Sequence, residues 1–264
     1  MQTFLRSLLL AVAVAGTALP PSPAAAAEPP SYKAWGDLLA KYYDPAQGMN
    51  YKALKADDKA ALDRLRQRMA AVDPQWLPRP DQLAYWINLY NISVVGVVVD
   101  NYPVESIRDL STDPIVRLNV FKKPSVAVKG GKISLDTIEN EKIRPVFKDA
   151  RIHFAINCAA ESCPPIRPEP YVGERIEQQL DDQARKFLSG PNGLRLEKSG
   201  SALVVYTTKV MDWFEGDFEK WAGGQLAFLE RFSPPDQAKQ IKAAGNQVKL
   251  KFDDYSWKLN DASR

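Results

Sequence analysis

The chain has 264 residues and a formal net charge of +3, with 35 Lys and Arg against 32 Asp and Glu. A balance so near neutral gives no electrostatic ground for nucleic-acid binding, and no Lys/Arg cluster suggests an anionic membrane surface. The length allows one large domain or two small ones with a full core, and the chain holds one His and two Cys on which thiol or soft-metal chemistry could rest.

The first 27 residues follow the secretory pattern: Arg6, an apolar run from Leu8 to Leu19, a Pro-rich break and Ala25-Ala26-Ala27 before Glu28. The run is short for a permanent membrane anchor. Residues 1–27 are therefore expected to be a cleaved signal peptide, and residues 28–264 a single exported domain, periplasmic or secreted.

Helical spacing of Trp35, Leu38, Leu39 and Tyr42 predicts a first helix over 32–43. Residues 44–54 read as a turn and a short extended piece. A second helix, with Asp57 or Asp58 as cap and Leu62, Leu65 and Met69 as its stripe, covers 57–72. "DQLAYWINLYNISVVGVVVDNYP" is apolar nearly all round and predicts a buried central helix. A membrane span is the rival reading, opposed by Asn88, Asn91 and Gly96 within the run. Val126 and Val128, a Gly130-Gly131 turn, then Ile133 and Leu135 predict a hairpin. "SLDTIENEKIRPVF" opens a helix capped by Ser134 or Asp136 and ended by Pro145, and "RIHFAIN" reads as a buried strand. An amphipathic helix over 173–190, a second hairpin over 193–208, C-terminal helices and a last strand with Val248, Leu250 and Phe252 complete a mixed α+β fold with largely antiparallel strands.

Chemistry concentrates in "RIHFAINCAAESCPP" at 151–165. On a straight strand His153 and Cys158 face opposite sides and cannot touch. Four readings compete. Cys158 and Cys163 pair as a disulfide, favoured by export. One of them is a thiolate nucleophile with His153 as base. His153 and both cysteines, with Glu161, bind a metal, although H-x4-C-x4-C is not a common zinc spacing. Or they are small core residues. Glu139 is a candidate to orient His153, Arg144 an anion contact, and Asn88 with Asn91 a possible oxyanion donor pair. "DWFEGDFEKW" offers aromatic residues for a groove or for the core. No phosphate loop, H-E-x-x-H or G-x-S-x-G motif is present, and no cofactor or metal is expected.

Four blocks in order, "LAYWINLYN" at 83–91, "KISLDTIENEKIRP" at 132–145, "RIHFAINCAAESCPP" at 151–165 and "TTKVMDWFEGDF" at 207–218, resemble the domain-of-unknown-function 547 family. The resemblance spans about 80–220. It implies a domain without an assigned activity, occurring in exported bacterial proteins among others. It also implies that both cysteines belong to the family pattern rather than to export alone. The family often places a histidine where this chain has Asn140. Its general shape is loosely similar to papain-like and transglutaminase-like thiol enzymes. The leading expectation is an exported binding or scaffolding module with a polar cleft around His153, Cys158, Cys163, Glu139 and Asn88, engaging an envelope protein or peptide. The alternative is a thiol-dependent hydrolase or acyltransferase on a peptide or envelope substrate. In that alternative Cys158 or Cys163 attacks, His153 takes the proton, Glu139 orients the imidazole and Asn88 steadies the oxyanion.

Overall fold

The computed structural model describes residues 28–111 and 119–263. The expected signal segment, 1–27, lies outside the described residues.

A mixed α+β fold is built around one long helix. α1 (Lys33–Tyr42) buries Trp35, Leu38, Leu39 and Tyr42, as their spacing requires. A two-residue-strand hairpin follows, β1 (Tyr43–Asp44) with β2 (Gly48–Met49). The expected extended piece is instead a helix, α2 (Tyr51–Asp57), because the Asn50 side chain accepts from the Ala53 N–H and caps it. α3 (Lys59–Ala71) buries Leu62, Leu65 and Met69. Asp58 precedes it but makes no cap bond; its carboxylate takes Lys41 and the Tyr42 hydroxyl instead.

α4 (Arg79–Asn101) is the central helix, and Ile87, Val94, Val95 and Val98 are wholly buried. It is long and apolar enough to cross a membrane, yet 94% of its most apolar 18-residue window is packed inside protein. Asn88 and Asn91 are tolerated there because each amide is bonded to a neighbouring segment. Gly96 admits Arg66: a Cβ there would lie 2.9 Å from its Nε.

The first expected hairpin is present, β3 (Val126–Val128) with β4 (Gly131–Ile133). Ser134 caps the next helix through the Thr137 N–H, as its position suggests. That helix, α5, runs as Leu135–Thr137, a widened π-helical stretch Ile138–Ile143 and a final turn Arg144–Phe147. Pro145 was expected to end it. Instead the chain continues to Lys148, whose left-handed φ of 55° stops it. Pro145 lacks the N–H that would bond four residues back, and the local answer is the wide turn before it.

The expected strand at 151–157 is absent. Residues Ala150–Phe154 form a 3-10 helix, capped by Asp149 through the Arg151 N–H. β-branched and aromatic content misled here because these side chains are buried by a helical turn, not a sheet.

α6 (Ile176–Ser189) follows, with Ile176, Leu180, Ala184 and Phe187 buried. β5 (Leu194–Ser199) and β6 (Ala202–Thr207) form the second hairpin. Three short helices come next: α7 (Lys209–Trp213), α8 (Glu215–Ala222) and α9 (Gln225–Phe232). α10 (Pro235–Ala244) leads into β7 (Val248–Phe252), which pairs with β6 in parallel, so the three-stranded sheet is mixed. A second, aromatic core lies against this sheet, with Phe154 between Phe187 and Phe228 at centroid distances of 5.3 and 5.4 Å.

After β7 the chain crosses back to the cysteine loop. Glu161 N–H donates to the Lys258 carbonyl and Asn260 N–H to the Ala159 carbonyl, at 2.8 and 3.1 Å. This return carries Tyr255 and Trp257 to the cysteines.

Candidate functional site

A cleft of about 250 Å³ collects side chains from distant parts of the chain: Tyr90 of α4, Asp136 and Glu139 of α5, His153, both cysteines, and an aromatic wall from α7 and the C-terminal return. Of the expected site residues, His153, Cys158, Cys163 and Glu139 therefore share one hollow. Asn88 does not line it. Its amide donates to the Tyr171 carbonyl at 2.7 Å and accepts from the Tyr171 N–H at 3.0 Å, so both ends are occupied away from the cleft. The oxyanion role expected for Asn88 is not supported by this placement.

Asn91, one helical turn further along α4, supports the site from below. Its amide donates to the Ala155 carbonyl and accepts from the Asn157 N–H, both at 2.9 Å. That fixes the exit from the 3-10 helix just before Cys158. Asn157 then accepts from the Ala159 N–H and donates to the Pro164 carbonyl, both at 2.8 Å, closing the cysteine loop. Ala159 turns the loop with φ 62°, a left-handed conformation uncommon for a residue with a Cβ.

Both cysteines are free, so the disulfide expected as one reading is not formed. The Cys158 N–H donates to the Cys163 sulfur at 3.0 Å, and the Cys158 sulfur lies 3.0 Å from the Tyr255 hydroxyl. Burial pushes both thiols up. At Cys158 hydrogen bonds from Cys163, Tyr255 and the Ala160 N–H outweigh burial and hold the thiol below its ordinary value. Cys163 stays well above its own, because burial and the Cys158 charge both oppose its ionisation.

His153 is buried, and its ring stacks on Phe214 with centroids 3.8 Å apart and planes 16° from parallel. Its Nε2 lies 2.8 Å from Asp217 Oδ2, which also accepts from Arg144 Nε at 2.7 Å. Hydrogen bonds from His153 and Arg144 hold the Asp217 carboxyl well below its ordinary value despite some burial. An ionised carboxylate only accepts, so Nε2 carries the proton and Nδ1 keeps a lone pair. Nδ1 is buried without a hydrogen-bond partner among the described residues. Burial lowers the imidazole's pKa against the raising effect of Asp217, which favours the neutral ring.

The partner that orients His153 is thus Asp217, not Glu139. Asp217 lies in the "TTKVMDWFEGDF" block already singled out for resemblance; the signal was an acidic residue between two phenylalanines, and nothing local distinguished it from a solvated helix carboxylate. Arg144, expected as an anion contact, is occupied by Asp217 and by the Asn140 side chain, where it donates at 2.6 Å. Glu139 sits in the π-helical stretch and lines the cleft. Burial, aided by Asp136 and Asp217 and opposed by Arg144, pushes its carboxyl up to about 7.

The far wall is aromatic. Trp213, Tyr255 and Trp257 lie within 6.0 Å of one another by ring centroid, and Phe121 is 6.3 Å from Trp257. Trp213 is 45% exposed at the mouth. Among the described residues no group of three or more His, Cys, Asp and Glu side chains is arranged to hold a metal ion.

Residues 74–188 match the family described as a protein of unknown function, DUF547. This segment is a DUF547 domain. No curated protein and no solved structure matches the chain. The DUF547 segment supplies Glu139, His153, Cys158 and Cys163, while Asp217, Tyr255 and Trp257 come from the chain beyond it. The site is completed by the C-terminal third folding back on the DUF547 segment.

Proposed function

We propose that the cleft is a thiol-dependent acyl-transfer site, hydrolytic or transferring, with Cys158 as nucleophile. One observation carries this reading: a reduced Cys158, its sulfur 3.0 Å from the Tyr255 hydroxyl, opens on the same hollow as His153, whose ring is fixed by Asp217. Cys158 attacks an acyl carbon as the thiolate, the carbon–leaving-group bond breaks, and a thioester forms. The departing group takes its proton from Glu139, which is partly protonated near pH 7. His153 Nδ1 then accepts a proton from the incoming nucleophile that resolves the thioester. A segment with the secretory pattern precedes the domain, so the proposed place of action is the periplasm or exterior and the substrate a peptide or envelope component.

The binding-module reading draws on a different observation: neither sulfur hydrogen-bonds His153. Unliganded thiol sites often tighten only with substrate, so both readings lead to the same test. Iodoacetamide labelling of the full chain at pH 7, read by intact mass, is expected to modify Cys158 faster than a denatured control and to slow at least fivefold in Asp217→Asn. Labelling no faster than in the denatured chain, or unchanged in Asp217→Asn, would leave a non-catalytic module.

A further inference from the structure

The cleft's polar lining is one-sided. Asp136 and Glu139 lie one turn apart on α5 and both face the hollow, yet among the described residues no Lys or Arg lines it. Two guanidiniums stack on rings of the lining, Arg144 over Phe214 at 4.7 Å and Arg108 over Trp257 at 5.0 Å, and Arg144 is also bound to Asp217 and Asn140. Among the described residues neither the Asp136 nor the Glu139 carboxyl accepts a hydrogen bond or lies in an ion pair, although the charge of Arg144 acts on Glu139 from a distance. Two carboxylates left unpaired on the wall of a hollow are costly unless something cationic visits them. The opposite wall is Trp213, Tyr255 and Trp257; Arg108 already stacks on Trp257, and among the described residues no cation stacks on Trp213 or Tyr255, whose ring faces attract cations. Independently of the carboxylates, His153 Nδ1 is a buried lone pair, unpartnered among the described residues, on a residue lining the same hollow. Carboxylates, aromatic faces and an idle acceptor all suit a group that brings positive charge and N–H donors.

We propose that the cleft receives a primary alkylammonium group, of the kind a lysine-type side chain carries, as the acyl acceptor. This rests on the thiol reading above and fixes which nucleophile resolves the thioester. The ammonium docks between Asp136 and the aromatic wall and gives one proton to the Glu139 carboxylate. The resulting amine attacks the thioester carbon; the N–C bond forms, the C–S bond breaks, and the second N–H proton passes through His153 Nδ1 to the departing Cys158 sulfur. The products are an amide, the free thiol and a protonated Glu139. No oxidant or metal is consumed.

Binding is tested apart from chemistry in the full chain carrying Cys158→Ala, by titrating n-butylammonium, n-butanol and n-butanoate at constant ionic strength and following tryptophan fluorescence. Butylammonium is expected to bind at least tenfold more tightly than butanol, and butanoate not at all. Asp136→Asn and Glu139→Gln should each weaken butylammonium about tenfold, and Asp136→Glu should retain it, with thermal melting unchanged in the two Asp136 variants and not lowered in Glu139→Gln. Equal binding of butanol and butylammonium, or no loss in either amide variant, overturns the proposal. In wild type, 4-nitrophenyl acetate with butylamine should yield N-butylacetamide in excess over the uncatalysed reaction. Acetyl-Cys158 that is lost to water alone overturns the acceptor assignment and leaves the thiol reading standing. No acetyl-Cys158 at all, with butylammonium still bound to the Cys158→Ala chain, overturns the thiol reading itself and with it the acceptor role.

Discussion

Replacing Glu139 by Gln should change how stability depends on pH, and the size follows from the site. Glu139 has an ordinary value of 4.5 and is pushed up to about 7 in the fold, first by burial. Below pH 4.5 the carboxyl is neutral in both folded and unfolded chains. As pH rises toward 7 the unfolded chain loses the proton and the folded one keeps it, so the stability tied to this group declines until the folded carboxyl ionises too. The gap is equivalent to about 3 kcal/mol at about 1.36 kcal/mol per tenfold, and partial exposure at the cleft wall reduces this to about 2 kcal/mol. Two neighbours act differently. His153, whose pKa is lowered, adds stability as pH rises through the region of its ordinary value, 6.5. Asp217, held low, loses its contribution only in acid below its own ordinary value, 3.8. Their effects are common to wild type and variant and cancel in the difference. Urea unfolding at pH 4.5, 5.5, 6.5 and 8 should therefore show Glu139→Gln gaining about 2 kcal/mol relative to wild type across that range. A constant offset between the two curves would mean that Glu139 titrates as an ordinary carboxylate, and the account of a desolvated carboxyl in the cleft would be wrong.

Two further substitutions probe the scaffold beneath the site. Asn91→Ala strands the Ala155 carbonyl and the Asn157 N–H in the interior, and should cost about 2–4 kcal/mol in urea unfolding. The same variant should slow Cys158 alkylation in the folded state, because the exit from the 3-10 helix is no longer pinned; unchanged alkylation would show that the loop positions the thiol without Asn91. Phe154→Ala empties the centre of the aromatic core between Phe187, Phe218 and Phe228, and should lower stability by about 3–5 kcal/mol. A loss under about 1 kcal/mol would indicate that the core recloses around the cavity.

Much of the fold is legible in local pattern. The stripe Trp35, Leu38, Leu39 and Tyr42, the apolar run of α4, the Gly130-Gly131 turn and the alternation of Val248, Leu250 and Phe252 each carry a period or a turn signal that neighbouring residues reinforce. The failures are places where a local signal had a non-local answer. Pro145 reads as a stop, but a widened turn absorbs its missing donor. Ile152, Phe154 and Ile156 read as a strand, yet they are buried against two different cores by a tight helix, and no sequence period separates those cases.

By itself the sequence determined the mixed α+β class, the central helix, and the residue types able to act: one imidazole, two thiols, and acidic blocks at 136–141 and 212–219. Only the tertiary structure decided that Asp217 rather than Glu139 holds His153, that Asn88 is spent on Tyr171, and that Tyr255 reaches Cys158 across 97 positions. The physical reason is one of range. Helices and hairpins follow from interactions a few residues apart, whereas a site is a meeting of side chains whose separation in sequence carries no energy until the chain has closed around them.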